Sequence, residues 1–290
     1  MSSYKVLIVY FSQTGNTFKI AKNIREGIKK SGNYCILKDI KKTDLDELTS
    51  YDLIGFGTPT FFYREPKNFT TFLKSLKPRK FSTYCFLFCT HGSQMGNTFY
   101  YMNEELKKNG YIVIDCFDCY ASTSLQFYPD PMHTANHPDE VEFREAREFG
   151  QNLCNSLTKI RKGKDWKLPE FKLIKNTWWA HESENLTLKV LRKISPKFSL
   201  NDEKCVKCMV CQENCPTDAI NMNAEPPELQ KEGCIFCWNC EKICPNGAIE
   251  ADWSIMKKKS KKNLLRYIDI LKDAEKRGNF RPHINYKIIY

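Results

Sequence analysis

Apolar residues in the first half of the chain fall into short unbroken runs, separated by segments in which apolar positions recur every three or four residues. The runs Lys5 to Phe11, Tyr34 to Leu37, Leu53 to Gly57, Thr83 to Cys89 and Tyr111 to Asp115 are strand-sized. The intervening segments Thr17 to Lys30, Lys67 to Leu76, Asn97 to Lys108 and Pro138 to Ile160 have helical spacing. Strands that are apolar on both faces need helices on both sides. The pattern therefore predicts an open, doubly wound parallel α/β sheet with right-handed crossovers over residues 1–160. The last helix is expected to begin at Pro138, with Asp139, Glu140 and Glu142 near its positive end. Ahead of it, Ala121 to Asn136, with Pro129 and Pro131, is long for a connection inside a compact domain and is expected to border a site or a partner.

Past residue 160 the periodicity weakens. Residues 161–200 read as a basic linker, and all five tryptophans lie beyond residue 160. The pair Trp178 and Trp179 is expected to pack a domain interface, the alternative being a place beside a redox centre. In residues 253–290 the lysine-rich run Lys257 to Lys262 precedes Leu264, Leu265, Ile268 and Leu271 at helical spacing, ending near Gly278. That stripe predicts a docked terminal helix with a basic tail.

A chain of 290 residues with 41% apolar residues suits two modules with at least one full core. The longest apolar runs, Val6 to Phe11 and Tyr84 to Cys89, are too short to span a membrane, and no basic segment leads a signal-like stretch. A cytoplasmic location is expected. The formal charge of +11 is uneven: +2 over residues 1–154, +7 over 155–199, −5 over 200–250 and +7 over 251–290. Basic segments flanking an acidic block are expected to neutralise that block or an acidic redox partner, and nucleic acid is not expected as a partner.

The acidic block holds eight of the fourteen cysteines. Cys205, Cys208, Cys211 and Cys215, followed by Pro216, are repeated as Cys234, Cys237, Cys240 and Cys244, followed by Pro245. Three cysteines two residues apart wrap one corner of a cubane cluster, while the fourth, carried off by its proline turn, reaches the other cluster. Crossed ligation follows, with Cys205, Cys208, Cys211 and Cys244 on cluster one and Cys234, Cys237, Cys240 and Cys215 on cluster two. Zinc is the alternative, and two triplets with Cys-Pro partners suit it poorly. A module this small has little core, so its clusters should also hold its fold.

Between the first strand and first helix, Ser12-Gln13-Thr14-Gly15-Asn16-Thr17 offers hydroxyls and backbone N–H groups to a phosphate. It lacks the Gly-Lys-Ser/Thr of nucleotide triphosphatases. Gly55-Phe56-Gly57 imitates a dinucleotide fingerprint, but Pro59 and Thr60 break it, so no NAD(P) site is read. Cys116 and Cys119 have dithiol spacing yet should point to opposite faces of a strand, which favours buried cysteines over a redox pair.

Over residues 201–250 the cysteine pattern resembles bacterial ferredoxins with two 4Fe-4S clusters, which implies one-electron transfer at low potential. Over residues 1–160 the loop Ser12 to Thr17 and the element order resemble flavodoxins, which implies a flavodoxin-like fold holding FMN between three loops. The matching positions are Ser12, Gln13, Thr14, Gly15, Asn16 and Thr17 for phosphate, Thr58, Pro59, Thr60, Phe61 and Phe62 in the second loop, and Thr90, His91, Gly92, Gly96 and Asn97 in the third. Phe61, Phe62 or Tyr63 is the expected stacking residue, since this domain lacks tryptophan. The third loop, Ser93 to Thr98, nearly copies the first and reads as a wall beside the flavin or a second phosphate site. His91 reads as a flavin or substrate contact, or as a histidine bonded to backbone. Together the modules, 1–160 and 201–252, resemble the flavodoxin-ferredoxin fusion proteins of anaerobes. The resemblance implies an electron-transfer protein relaying electrons between two 4Fe-4S clusters and FMN. A flavin-dependent reductase of a small acceptor, such as a quinone, nitro compound or oxygen, is the alternative.

Overall fold

The structure, a computed structural model, describes residues 3–79, 82–128 and 131–285. Pro129, which the sequence reading placed in the long loop, and the tail beyond residue 285 lie outside the described residues. The first module contains β1 (Lys5–Tyr10), α1 (Asn16–Lys30), β2 (Tyr34–Asp39), β3 (Leu53–Pro59), α2 (Lys67–Ser75), β4 (Thr83–His91), α3 (Thr98–Lys108), β5 (Tyr111–Tyr120) and α4 (Glu140–Arg161). Its five strands are all parallel in the order β2-β1-β3-β4-β5. The order reverses between β1 and β3, and the crevice at the carboxyl ends of those strands is where this topology places ligands.

Alternation along each strand divides the core into two layers. On one face Leu7, Val9, Ile54, Phe56 and Leu87 meet Phe69, Leu73, Phe99 and Met102 of α2 and α3. On the other, Val6, Ile8, Phe86 and Phe88 meet Ile20, Ile24, Leu153 and Leu157 of α1 and α4. Gly55 and Gly57 make room for this second layer. A Cβ at those positions would stand 2.3 Å and 1.8 Å from the rings of Phe86 and Phe88 on the neighbouring strand. The glycines that imitate a dinucleotide motif are thus a packing device. Cys116 and Cys119 do fall on opposite faces, packed in different layers.

Helix α4 begins two residues later than the sequence reading placed it. Asp139 is its N-cap, accepting from the Val141 N–H, and the Glu142 carboxylate accepts from the Asp139 N–H in return. This reciprocal cap satisfies two end N–H groups, which Pro138 in the first turn could not have arranged.

Residues 161–200 are more ordered than a basic linker implies. Trp166 Nε1 donates to the Ile114 carbonyl at 3.0 Å, and α5 (Trp178–Asn185) and α6 (Leu188–Ile194) follow, capped by Thr177 and Thr187. The second module is built on β6 (Ser199–Leu200), α7 (Val210–Glu213), α8 (Asn239–Ile243) and β7 (Ile249–Glu250), with β6 and β7 antiparallel. Its own apolar cluster is small: Cys211, Ile220, Met222 and Ile249 are the buried members. Helix α9 (Ser254–Lys276) docks Leu264, Tyr267, Ile268 and Leu271 onto Met132 of the long loop. Leu265, expected in that stripe, is 53% exposed, because a turn of about 100° per residue carries it past the edge of the face that Leu264, Tyr267, Ile268 and Leu271 share. Among the described residues no helix is long and apolar enough to cross a membrane.

Candidate functional site

Four loops at the carboxyl ends of β1, β3, β4 and β5 converge on a cavity of about 240 Å³. From the first loop, Ser12, Gln13, Thr14, Asn16 and Thr17 line it. Gly15 does not line it but makes the turn, with φ of 89°, and stands as N-cap of α1 without any side-chain cap. The N–H groups of Asn16 and Thr17 that open α1 are therefore left for a ligand. Not every hydroxyl expected at the phosphate is free. Thr17 is buried against Thr90, with Oγ1 atoms 2.8 Å apart, and Ser12 Oγ accepts from the Phe18 N–H. Asn16 donates to the Ser122 carbonyl. Thr14 is exposed, and its hydroxyl has no protein partner among the described residues.

The second loop supplies Pro59, Thr60, Phe61 and Phe62 to the cavity. Phe61 and Arg64 exchange backbone hydrogen bonds around a tight turn, with Phe62 and Tyr63 at φ of 51° and 65°. Two bulky residues held in the left-handed region are a strained arrangement of the kind that gathers at functional sites. Tyr63 is buried against Trp178 and Trp179, and Arg266 of α9 stacks on Trp178. The tryptophan pair thus packs an interface between the loop, α5 and α9. Thr58, at the end of β3, is fully buried and does not line the cavity.

From the third loop Thr90, His91 and Gly92 line the cavity, whereas Gly96 and Asn97 do not. Gly96 lies tight under Tyr63, where a Cβ would stand 2.5 Å from the Tyr63 carbonyl oxygen. Asn97 is a clamp on the linker, exchanging two hydrogen bonds with the backbone of Ile174 at 2.8 and 3.0 Å. Copying of the first loop by the third is therefore a likeness of sequence and not of role. His91 is bonded to a carboxylate and not to backbone, its Nε2 lying 2.9 Å from Asp118 Oδ2. Burial acts to raise the Asp118 carboxyl, but the hydrogen bond and charge of His91 prevail and hold it below its usual range. With Nε2 engaged by Asp118, the buried Nδ1 is left without a partner among the described residues.

Three segments roof the cavity that the sequence reading did not assign to it. These are α5 and α6 with Glu182 and Leu191, α9 with Lys259 and Asn263, and the loop Phe236-Cys237-Trp238 between the cysteines of the second triplet. Glu182 accepts from Asn263 Nδ2 at 3.0 Å, and burial pushes its carboxyl up to about 7 against the opposing charge of Arg266. One signal for the roof stood in the sequence: Phe236 and Trp238, aromatics inside a cysteine loop, beside a domain without a tryptophan.

The eight cysteines gather around two further small cavities. Cys205, Cys208, Cys211 and Cys244 border one, and Cys215, Cys234, Cys237 and Cys240 border the other. The two Cys-Pro cysteines are held alike, Cys215 Sγ accepting from the Ala219 N–H and Cys244 Sγ from the Ala248 N–H, both at 3.2 Å. Burial pushes the Cys237 thiol up to about 12, so a cation is needed to keep it as thiolate at neutral pH.

The model of the flavodoxin domain matches residues 7–121, and the model of the 4Fe-4S dicluster domain matches residues 204–248. The chain joins a flavodoxin domain to a 4Fe-4S dicluster domain. It is 27% identical over 150 residues to a flavodoxin of Clostridium beijerinckii, a match covering 51% of this chain and 98% of the relative. To an uncharacterized protein of Methanocaldococcus jannaschii it is 28% identical over 156 residues, covering 52% of this chain and 99% of that one. Among solved structures, a flavodoxin from the domain Archaea is similar with a TM-score of 0.41 and 20% identity, over 53% of this chain and 99% of that one.

The flavodoxin domain implies FMN and the dicluster domain implies 4Fe-4S clusters, and the protein is an electron-transfer redox protein. Zinc, the alternative for the cysteines, has no support in the dicluster match. The residues present fit these groups. His91 Nδ1, Gln94 Nε2 and Trp238 Nε1 are buried without a hydrogen-bond partner among the described residues, and all three residues line the flavodoxin-domain cavity. A ligand with polar atoms on its ring system would satisfy them, while its phosphate meets the open N-terminus of α1.

Proposed function

We propose that the protein passes electrons between an external one-electron partner and FMN through its two clusters, joining one-electron to two-electron chemistry. FMN supplies the two-electron end of that exchange when bound. On this reading Ser12 to Thr17 hold its phosphate, Pro59 to Phe62 and Thr90 to Gly92 frame its ring system, and the cysteines ligate in the crossed sets around the two small cavities. One observation carries the order of the relay: Cys237 and Trp238 border both the second cysteine cavity and the flavin cavity. Cluster two is then next to the flavin. Cluster one is the outer terminus, where Cys208 is exposed and Val206 is 66% exposed. The exposed lysines Lys257, Lys258, Lys261 and Lys262 of α9 suit steering of an acidic redox partner.

The test is rapid photoreduction of the clusters in the loaded, full-length protein. Flavin reduction at a rate independent of protein concentration, and changed little by salt, is expected of transfer within one chain. A rate rising in proportion to concentration would reject the relay. The roof over the flavin cavity, with the Glu182 carboxyl in its wall, favours a second reading: a reductase that admits a small acceptor and excludes protein partners from the flavin. Steady turnover of a quinone or nitro compound by the reduced protein would support that reading.

A further inference from the structure

The two cysteine loops are copies in backbone as well as in spacing. In the first, Lys207 and Met209 have φ of 51° and 62°; in the second, the corresponding Phe236 and Trp238 have φ of 54° and 53°. Since the first copy adopts the same left-handed pair with a lysine and a methionine, wrapping cysteines does not require aromatic residues there. They occur in the copy that faces the flavodoxin domain. Trp238 is 3% exposed, edge-on to Phe62 and Phe127 with ring centroids 6.4 and 5.6 Å away. Its indole N–H is buried without a partner among the described residues, in the wall of the flavin cavity. A buried donor left unpaired is destabilising, and a ligand acceptor would relieve it.

The backbone of the same dipeptide is tied to the flavodoxin domain. The Cys237 carbonyl accepts from Gln13 Nε2 of the phosphate loop, and the Trp238 carbonyl accepts from Gln126 Nε2 at 3.2 Å. Two adjacent residues thus serve both sites: Cys237 offers its sulfur to the second cysteine cavity while its carbonyl fixes the phosphate loop, and Trp238 walls the flavin. We propose that the cluster module completes the FMN site, with the Trp238 indole N–H donating to the flavin, so that loading of cluster two and binding of FMN strengthen each other. Such coupling is reciprocal, because each group stabilises the same placement of the loop. The proposal rests on the reading that FMN fills this cavity and that Cys215, Cys234, Cys237 and Cys240 hold cluster two.

The experiment is an anaerobic titration of flavin-depleted, iron-loaded full-length protein with FMN, with iron and sulfide assayed on each sample. Trp238→Phe keeps an aromatic wall and removes the N–H, and is expected to weaken FMN about twofold to tenfold with iron unchanged. Trp253→Phe is the control. Trp253 packs on Trp238 at 5.3 Å but bonds Glu241 and does not line the cavity, so FMN affinity should hold. Cys240→Ala should weaken FMN more than Cys208→Ala, since only the former belongs to the set beside the flavin. Unchanged affinity in Trp238→Phe, or equal effects of the two cysteine variants, would overturn the proposal while leaving the relay intact. A wild-type protein that takes up no FMN would overturn the underlying reading and the proposal with it.

Discussion

Glu182 offers a test of the roof by pH. Its carboxyl faces the flavin cavity from α5, bonded by Asn263 of α9, with Arg266 as the opposing charge, Lys259 also in the cavity lining and the buried Tyr63 phenol on the side of the second loop. Burial dominates and lifts the carboxyl from an ordinary 4.5 to about 7. An acid whose folded value is raised binds its proton more tightly in the native state. The associated stability is fully present below pH 4.5 and is lost as pH rises through 7. A shift of this size corresponds to about 3 kcal/mol between the two limits. Glu182→Gln keeps an acceptor for Asn263 and removes the titration. Relative to wild type, the variant should therefore gain about 2.5 kcal/mol on going from pH 5 to pH 8, slightly less than the full span because pH 5 is already above 4.5. The assay is urea unfolding of the loaded protein at both pH values, followed by tryptophan fluorescence. Four of the five tryptophans, Trp178, Trp179, Trp238 and Trp253, lie in the roof and the cluster module and dominate the signal, and Trp166 reports its bond to β5. A difference between wild type and variant that is the same at both pH values would mean that Glu182 titrates as in water and that the roof does not exclude it.

Anaerobically prepared protein should hold about eight iron and eight sulfide, and finding zinc or half the iron would refute two cubanes. Cys215→Ala should damage the cluster of Cys234, as seen in the EPR signals of the separate clusters, and damage confined to the cluster of Cys205 would reject the crossed sets. Thr14→Val should weaken FMN, the lost phosphate donor costing about 1–3 kcal/mol, with iron content unchanged; an unaltered FMN titration would place the phosphate elsewhere. Gly92→Ala should speed FMN release, because its new Cβ would stand 1.8 Å from Tyr267 Oη and must push α9 away from the cavity. Stopped-flow release at the wild-type rate would show that α9 does not retain the flavin.

The parts of the molecule that were legible in the sequence are those whose pattern is set by local burial. Strands buried on both faces read as unbroken apolar runs, and the helices covering them read as amphipathic, so the sheet emerged with its order of elements. Errors arose where a residue's role depends on a distant neighbour. Asn97 looks like a loop polar group and is committed to Ile174, far along the chain. Gly55 and Gly57 are excluded as a dinucleotide turn by Pro59 and Thr60, but their packing role rests on two rings of the next strand and could not be read locally. Pro138 suits a helix start, yet the reciprocal bonds of Asp139 and Glu142 set the start after it. The roof was missed for a related reason: Glu182, Lys259 and Trp238 come from three segments with no common periodicity, and only tertiary packing brings them over one cavity.

The roof also bears on where electrons can leave. A carrier that hands electrons from flavin to a protein must let that partner reach the flavin edge. Here the cavity is covered by α5, α6, α9 and a cysteine loop, and Tyr267 of α9 lies within hydrogen-bond distance of Thr123 beside the third loop. On the proposed relay, a protein partner therefore finds its access at the other end of the chain of centres, where Cys208 and Val206 are exposed. On that proposal, the flavin end serves molecules small enough to enter the cavity. The relay and the small-acceptor reductase then differ in what enters beneath the roof, and both use the same path of Cys237 and Trp238 to bring electrons there.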